Sequence, residues 1–239
     1  MSKPAYFLSD LHLGCTHPRA IVDRETRAVE LLRSWQGQAS HVFLVGDLFE
    51  FWMEYGHYIN RHHFPFLRAL AELVESGVEV HYLSGNHDFQ LDSFFPGLGI
   101  HTHETLQIDL QGHRIWLQHG DGMSRTDWGY RVARHIIHNR FNLFLFRLLH
   151  PDWGMALARL VGSTSRKAME DCDPHLAEYE KGARAIMGRE HCNVMIHGHT
   201  HHPAITQCPE GLHIDTGQWL FALNYIELRD GNFRCVSCS

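Results

Sequence analysis

Short apolar runs alternate with helical patterns along the first hundred residues. Runs rich in β-branched and aromatic residues cover 5–9, 41–45 and 78–83, and each ends in a polar or glycine-containing turn. Between these runs, residues 27–35 and 62–76 carry apolar side chains at helical spacing. The order strand, helix, strand, helix, strand predicts an α/β fold with a parallel sheet.

The remainder of the chain is rich in predicted strands. Residues 105–110 and 113–118 form a predicted hairpin with Gln111-Gly112 at its turn, and several further strands are expected within 194–236. A chain of 239 residues favours a single domain. We therefore expect one domain over 1–239, with a helical insert at about 126–190.

The segment 131–167 is both basic and apolar. It holds seven basic residues and one acidic residue, so it carries +6 and leaves −12 for the rest of a chain whose formal net charge is −6. Its apolar residues predict two helices that break at His150-Pro151. Such a segment suits contact with anionic lipid or with an acylated anionic ligand. Alternatively, the two helices pack in the core and only their arginine guanidinium groups reach the surface.

Composition excludes several classes of protein. A chain with 44% hydrophobic and 20% charged residues is not disordered, collagen-like or coiled coil. The six cysteines lack disulfide-framework spacing and the N-terminus lacks a signal-peptide pattern, so we expect a cytoplasmic protein. No apolar run approaches the roughly 18 residues that span a bilayer, so membrane association would be peripheral. The acidic net charge disfavours nucleic acid, and no obligate protein partner is inferred.

Metal-binding side chains follow the predicted strands. Asp10 and His12 come after the first apolar run, Asp47 after the second, and Asn86 and His87 after the third. A strand places residues i and i+2 on one side, so Asp10 and His12 can hold the same cation. Sites in open α/β sheets form at these carboxyl ends.

The same pattern returns later in the chain. His119 follows the predicted hairpin, and His199 and His201 repeat the i, i+2 spacing. The oxygen ligands suit manganese or magnesium, while the imidazoles also suit iron, zinc or cobalt. The simplest prediction is two divalent metals that share one aspartate.

These motifs resemble the signature of the calcineurin-like metallophosphoesterases over residues 8–203. The matching motifs are Asp10-x-His12, Gly46-Asp47, Gly85-Asn86-His87-Asp88, His119 and Gly198-His199-x-His201. The resemblance implies a four-layer αββα sandwich with a helical lid insertion. It also implies two metal sites, one held by Asp10, His12, Asp47 and His201, and the other by Asp47, Asn86, His119 and His199.

Longer stretches at 10–14, 46–52, 119–122 and 197–203 resemble the UDP-2,3-diacylglucosamine pyrophosphatases. These are manganese enzymes of lipid A biosynthesis in Gram-negative bacteria. The resemblance implies hydrolysis of UDP-2,3-diacylglucosamine to UMP and 2,3-diacylglucosamine 1-phosphate by a metal-bridging hydroxide. It also implies peripheral association with the cytoplasmic face of the inner membrane, and an insert that binds acyl chains.

Many members of that branch have arginine where this chain has His87 and His202. We expect His87 to protonate the leaving group or to stabilise charge on phosphorus, with Asp88 orienting it. Asp127 resembles an acidic residue at the base of the lid, and it is equally well explained as a helix N-terminal residue. The expected substrate contacts are Asn86, His87, Asp127, Arg140, Ser163, Ser165, Arg166 and Lys167.

Other functions fit the same metal ligands. A soluble nucleotide or dinucleoside polyphosphate hydrolase, or a general phosphodiesterase, would use the same site without needing an apolar, basic insert. A non-catalytic metal-binding scaffold is a third possibility, although a scaffold has no need of the whole ligand set.

Overall fold

Two β-sheets form the centre of the molecule. The computed structural model describes residues 2–88, 90–123, 139–157 and 176–238. The first sheet has six strands in the order β11-β10-β1-β2-β3-β4. Its strands are β1 (Ala5–Leu8), β2 (His41–Val45), β3 (Glu79–Leu83), β4 (His101–His103), β10 (Asn224–Arg229) and β11 (Asn232–Ser237). Strands β1 to β4 are parallel, as predicted, and β10 and β11 extend the sheet antiparallel at the β1 edge.

The second sheet has five strands in the order β5-β6-β7-β9-β8. They are β5 (Thr105–Leu110), β6 (His113–Gln118), β7 (Val194–His197), β8 (Ala204–Cys208) and β9 (Gly211–Asp215). The predicted hairpin is confirmed, because β5 pairs antiparallel with β6 across Gln111-Gly112. Both turn residues have positive φ, of 48° and 88°, which is the backbone that a two-residue hairpin turn requires.

Helices cover the outer faces of both sheets. Helices α1 (Arg24–Trp35), α2 (Phe64–Glu75, after a 3-10 turn at Arg61–His63) and α3 (Phe94–Gly97) pack on the first sheet. A separate apolar layer that includes Phe7, Phe43 and Ile196 fills the space between the sheets. Helix α5 (Leu176–Glu190) packs on the second sheet through Ala183 and its neighbours. The architecture is therefore the four-layer αββα sandwich, as the resemblance implied.

A further helical segment lies in the basic, apolar part of the chain. Helix α4 (Arg140–Arg147) is followed by helical residues 151–157; the break predicted at His150-Pro151 lies at 148–150, and Pro151 begins the second helical stretch. The side chains of Phe141, Phe144, Leu148 and Trp153 are between 56% and 72% exposed. These apolar side chains therefore face solvent. Among the described residues, no helix is both long and apolar enough to cross a bilayer.

Candidate metal centre

Loops from both sheets bring the predicted ligands to one edge of the sandwich. The loops after β1 and β2 carry Asp10, His12 and Asp47, and those after β6 and β7 carry His119, His199 and His201. Two groups result, Asp10 with His12 and His201, and Asp47 with His119 and His199. Within each group the potential ligand atoms all lie within 4.8 Å of one another.

In the first group, three potential ligand atoms face each other. Asp10 Oδ1 lies 3.2 Å from His201 Nε2 and 3.7 Å from His12 Nε2, and the two imidazole nitrogens are 3.3 Å apart. This buried oxygen accepts no hydrogen bond from any described residue. The other oxygen, Oδ2, accepts from the Ser9 hydroxyl and from the His199 backbone N–H at 2.9 Å. Asp10 is therefore anchored through one oxygen while the other points into the centre.

In the second group, His119 Nε2 faces the side chains of Asn86, Asp47 and His199. Its Nδ1 lies 2.8 Å from the Val45 carbonyl oxygen, which can only accept, so Nδ1 carries the proton. Its Nε2 lies 3.1 Å from Asn86 Oδ1 and 3.2 Å from Asp47 Oδ2. His199 Nδ1 is 3.3 Å away. Two imidazole nitrogens, an amide oxygen and a carboxylate oxygen converge at one point, so these residues fit a divalent metal.

Asp47 lies between the two groups. Besides its place beside His119, it belongs to a further cluster with His12 and His87 whose ligand atoms lie within 4.8 Å. Its Oδ1 accepts the His87 backbone N–H at 2.9 Å. Asp47 is therefore common to two clusters of potential metal ligands.

Burial and the neighbouring charges set the protonation of the centre. Burial lowers the pKa of His12 and of His199 to about 4, so both rings are neutral at neutral pH, the form that ligates metals. Burial alone would raise the pKa of Asp47, but the His119 and His87 rings outweigh it and hold that pKa well below its usual range. Asp47 is therefore an anion at neutral pH.

Five of the seven predicted ligands share an unusual backbone conformation. Asp10, His12, Asp47, His199 and His201 have φ of 52°, 43°, 53°, 71° and 63°. Left-handed backbone is unfavourable for residues other than glycine and is concentrated at functional sites. The other described non-glycine residues with positive φ, Gln111, His191 and Asp230, lie at turns.

Two motif glycines are needed for close approach. A Cβ at Gly46 would overlap the His119 ring, and a Cβ at Gly198 would overlap the side chains of Ser9 and Asp10. Both glycines therefore allow loops of one sheet to lie against ligands of the other.

His87 and Asp88 have different surroundings. His87 Nδ1 lies 2.7 Å from the Glu50 carbonyl oxygen, and its Nε2 is 3.9 Å from Asp47 Oδ2. The Asp88 carboxylate instead accepts from the backbone N–H groups of Asp47 and Gly85, at 2.8 and 2.9 Å, and from the Tyr82 hydroxyl at 2.7 Å. The Glu50 carbonyl thus orients His87, whereas we had expected Asp88 to do so.

Several supporting residues escaped the sequence analysis. The Arg24 guanidinium, on α1, donates to the carbonyl oxygens of His12 and Cys15 at 3.2 and 2.7 Å and so holds the first ligand loop. Asp215, at the end of β9, accepts from the Thr200 hydroxyl and the Gly217 backbone N–H, and so holds the loop of His199. Asp215 follows an apolar strand just as Asp10 does, and that pattern was available in the sequence.

The predicted substrate contacts are described only in part. Asn86 and His87 lie at the centre, and Arg140 is the first residue of α4. The predictions for Asp127, Ser163, Ser165, Arg166 and Lys167 lie outside the described residues. The His87 and His201 side chains are 23% and 28% exposed, so the centre is open to solvent on their side.

Comparison with known proteins defines the class. The model of the calcineurin-like phosphoesterase family matches residues 4–203. The chain belongs to this family and is a hydrolase of phosphorus-containing bonds, with His and Asp groups that fit the divalent metals the family implies. A solved structure described as a novel archaeal phosphodiesterase has a TM-score of 0.53 at 12% identity, covering 98% of this chain and 99% of that one, which shows the fold alone.

Curated relatives bear a more specific name. A protein of Neisseria meningitidis serogroup C named UDP-2,3-diacylglucosamine hydrolase is 32% identical over 227 residues, which are 91% of this chain and 90% of that protein. Proteins of the same name from Porphyromonas gingivalis and Aeromonas salmonicida are 33% and 31% identical. These alignments cover 71% and 83% of this chain, and 66% and 78% of the relatives.

Proposed function

We propose that the protein hydrolyses UDP-2,3-diacylglucosamine to UMP and 2,3-diacylglucosamine 1-phosphate, a step of lipid A biosynthesis. The observation that carries this proposal is an exposed apolar helical segment packed beside a complete set of two-metal ligands. The name of the curated relatives supports the substrate. A hydrolase of soluble nucleotides has no use for the apolar segment.

The proposed metal ligands are those implied by the family resemblance. Asp10, His12, Asp47 and His201 hold one ion, and Asp47, Asn86, His119 and His199 hold the other. Oxygen and imidazole donors in nearly equal numbers suit manganese, which accepts both. When bound, two divalent cations activate water at neutral pH and neutralise charge on the phosphoryl oxygens.

His87 is the proposed acid for the leaving group. The Glu50 carbonyl oxygen accepts from Nδ1 and fixes the ring, which leaves Nε2 directed toward the centre. A proton on Nε2 is then within reach of an oxygen that departs from phosphorus beside Asp47. Asn86 contributes its amide oxygen to the second ion and places its amide N–H groups at the same opening.

The helical segment at residues 139–157 is the proposed acyl-chain and membrane contact. It lies against the loop that follows Asp47, because the rings of Phe146 and Phe51 are 5.4 Å apart and Arg147 Nε donates to the Glu54 carbonyl oxygen at 3.2 Å. Its exposed apolar side chains offer surface to acyl chains next to the metal centre. We propose that it belongs to an insert in a single domain, and that it brings the protein to the cytoplasmic face of the inner membrane.

The assay for this proposal is release of UMP from UDP-2,3-diacylglucosamine by protein reloaded with Mn²⁺ after chelation. We expect Asp47→Ala and His199→Ala to lower kcat by more than about a hundredfold. Substitution of a residue that merely supports a ligand already lowers metal affinity or activity by about 10 to 100-fold. His57→Ala, at an exposed loop histidine, is the matched control and should retain activity. Absence of UMP release by the wild type, or full activity of metal-loaded Asp47→Ala, would contradict the proposal.

A further inference from the structure

A second group of metal-binding side chains lies on the first sheet, far from the metal centre. It comprises His41 on β2 with Glu79 and His81 on β3, whose ligand atoms lie within 4.8 Å of one another. The parallel register pairs His41 with Glu79, and His81 is two residues further on, so all three lie on one face. His41 and Asp47 are six residues apart in sequence, which corresponds to about 20 Å along an extended strand.

Each imidazole nitrogen lies about as far from a Glu79 oxygen as two ligands of one metal ion lie from each other. Glu79 Oε2 lies 3.4 Å from His41 Nε2, and Glu79 Oε1 lies 3.2 Å from His81 Nε2. Two ligands at about 2.0–2.1 Å from a tetrahedral Zn²⁺ are about 3.3–3.4 Å from each other. The His41 and His81 rings are nearly parallel, at 12° with their centroids 6.1 Å apart, so both are held beside the same carboxylate.

One nitrogen of His81 is buried without a partner. The His81 side chain is only 7% exposed, and its Nε2 makes no hydrogen bond to any described residue. Its Nδ1 lies 3.1 Å from His103 Nε2 on the neighbouring strand β4, so this second ring nitrogen is already hydrogen-bonded. A ligating histidine whose second nitrogen is hydrogen-bonded is the usual arrangement at metal sites.

An ordinary ion pair does not account for this contact. Burial, only partly offset by Glu79, lowers the pKa of His81 to about 4, so the ring is neutral at neutral pH. The 3.2 Å approach of Nε2 to Glu79 also lacks hydrogen-bond geometry. A buried nitrogen and a carboxylate oxygen then face each other without a hydrogen bond between them, and a bound cation satisfies both.

An ion has access to the group from solvent. The Glu79 side chain is 50% exposed and that of His41 is 19% exposed, so a water molecule can complete the coordination. Two imidazoles and one carboxylate, with one open position, form a donor set found in zinc sites. The set is poor for Mg²⁺ or Ca²⁺, which prefer oxygen ligands.

We propose that His41, Glu79 and His81 bind a third divalent ion, of the Zn²⁺ type, that links β2 to β3 and is separate from the metal centre. The test is the amount of Zn²⁺ that remains with chelator-stripped, reloaded protein after gel filtration, measured by mass spectrometry of the metal. Wild-type protein should retain one Zn²⁺ per chain more than either Glu79→Gln or His41→Ala.

The controls isolate this group from all other zinc binding. Glu75→Gln makes the same change of charge at an exposed position of α2, and His57→Ala removes an exposed histidine. Both should bind as much Zn²⁺ as the wild type, and circular dichroism checks that every variant is folded. Equal zinc content in the wild type, Glu79→Gln and His41→Ala would overturn the proposal, whatever the total is. Because the readout is a difference of one ion, it is independent of the proposed activity.

Discussion

Asp88 lies behind the metal centre and holds its loops together. Its carboxylate accepts hydrogen bonds from the backbone of the Asp47 and Gly85 loops and from the Tyr82 hydroxyl. Burial, followed by the charge of Asp47, raises its pKa to about 6. The side chain therefore acts on the site through the position of Asp47, and we regard Asp88 as a positioning residue.

This role predicts different outcomes for two substitutions at Asp88. Asp88→Asn keeps an acceptor oxygen for the two N–H groups and should retain activity within about tenfold of the wild type. Asp88→Ala removes all three bonds, and we expect it to raise the Mn²⁺ concentration needed for half-maximal activity by about 10 to 100-fold. Manganese titration of the activity measures both effects. Equal damage in the two variants would instead mean that the charge of Asp88 is required.

At the scale of secondary-structure elements, helix α4 is unusual because it exposes large apolar side chains. Phe144 in this helix and Leu148 just after it are 56% and 68% exposed, although the segment contacts the loop of Asp47 through Phe146. Such exposed apolar surface needs a partner, and the proposed partner is the acyl part of the substrate.

Polar substitutions on this surface should separate acylated from soluble substrates. For Phe144→Ser or Leu148→Ser we expect kcat/KM for UDP-2,3-diacylglucosamine to fall by about tenfold or more, since covering one large apolar side chain contributes about 1.5–3 kcal/mol. Hydrolysis of bis(p-nitrophenyl) phosphate should not change. Val22→Ser, at a side chain that is 96% exposed, is the control. Parallel losses on both substrates would assign the segment to structural support.

Strand β3 carries a group that links stability to pH. Because burial lowers the pKa of His81 from 6.5 to about 4, between these values the unfolded chain binds a proton that the folded chain does not. Stability from this group is complete above pH 6.5 and is lost as the pH falls toward 4. Its contribution is at most about 1 kcal/mol per pH unit, since solvent access through the half-exposed Glu79 weakens the effect.

His81→Phe tests this linkage while preserving the ring that stacks on Phe43. Urea denaturation with chelator present, at pH 7, 6 and 5, gives the free energy of unfolding of each protein. The wild type should lose more stability than His81→Phe between pH 7 and 5. Equal losses would show that His81 does not titrate differently in the folded state.

The elements also show which features were readable from sequence. The β5–β6 hairpin was predicted with its turn because Gln111-Gly112 and the strand alternation are local signals. Strand β4 was missed because its three residues, His101–His103, are too few to show a period. The metal ligands were predicted because each follows an apolar strand, whereas the Asp88 bonds join Asp47 and Tyr82 only after the loops have converged.

At the scale of the whole molecule, the site is built from loops of both sheets, and the helical segment at 139–157 lies against one of those loops. The first sheet supplies Asp10 and Asp47, and the second supplies His119 and His199. The histidines are likewise divided, because His12, His119, His199 and His201 lie at the metal centre while His41 and His81 form a separate group. The segment 131–167 carries a formal charge of +6 within a chain whose total is −6, and it is also rich in apolar residues. A segment that is both basic and apolar favours a substrate that joins a diphosphate to acyl chains.

The substrate is tested most directly by a comparison of kcat/KM for four compounds under Mn²⁺. They are UDP-2,3-diacylglucosamine, UDP-N-acetylglucosamine, a dinucleoside polyphosphate and bis(p-nitrophenyl) phosphate. We predict UMP release from the diacylated compound at a kcat/KM at least about a hundredfold above that for each of the others, because only this compound engages both the metal centre and the apolar segment. Equal or faster hydrolysis of the dinucleoside polyphosphate or of the unacylated sugar nucleotide would contradict the account.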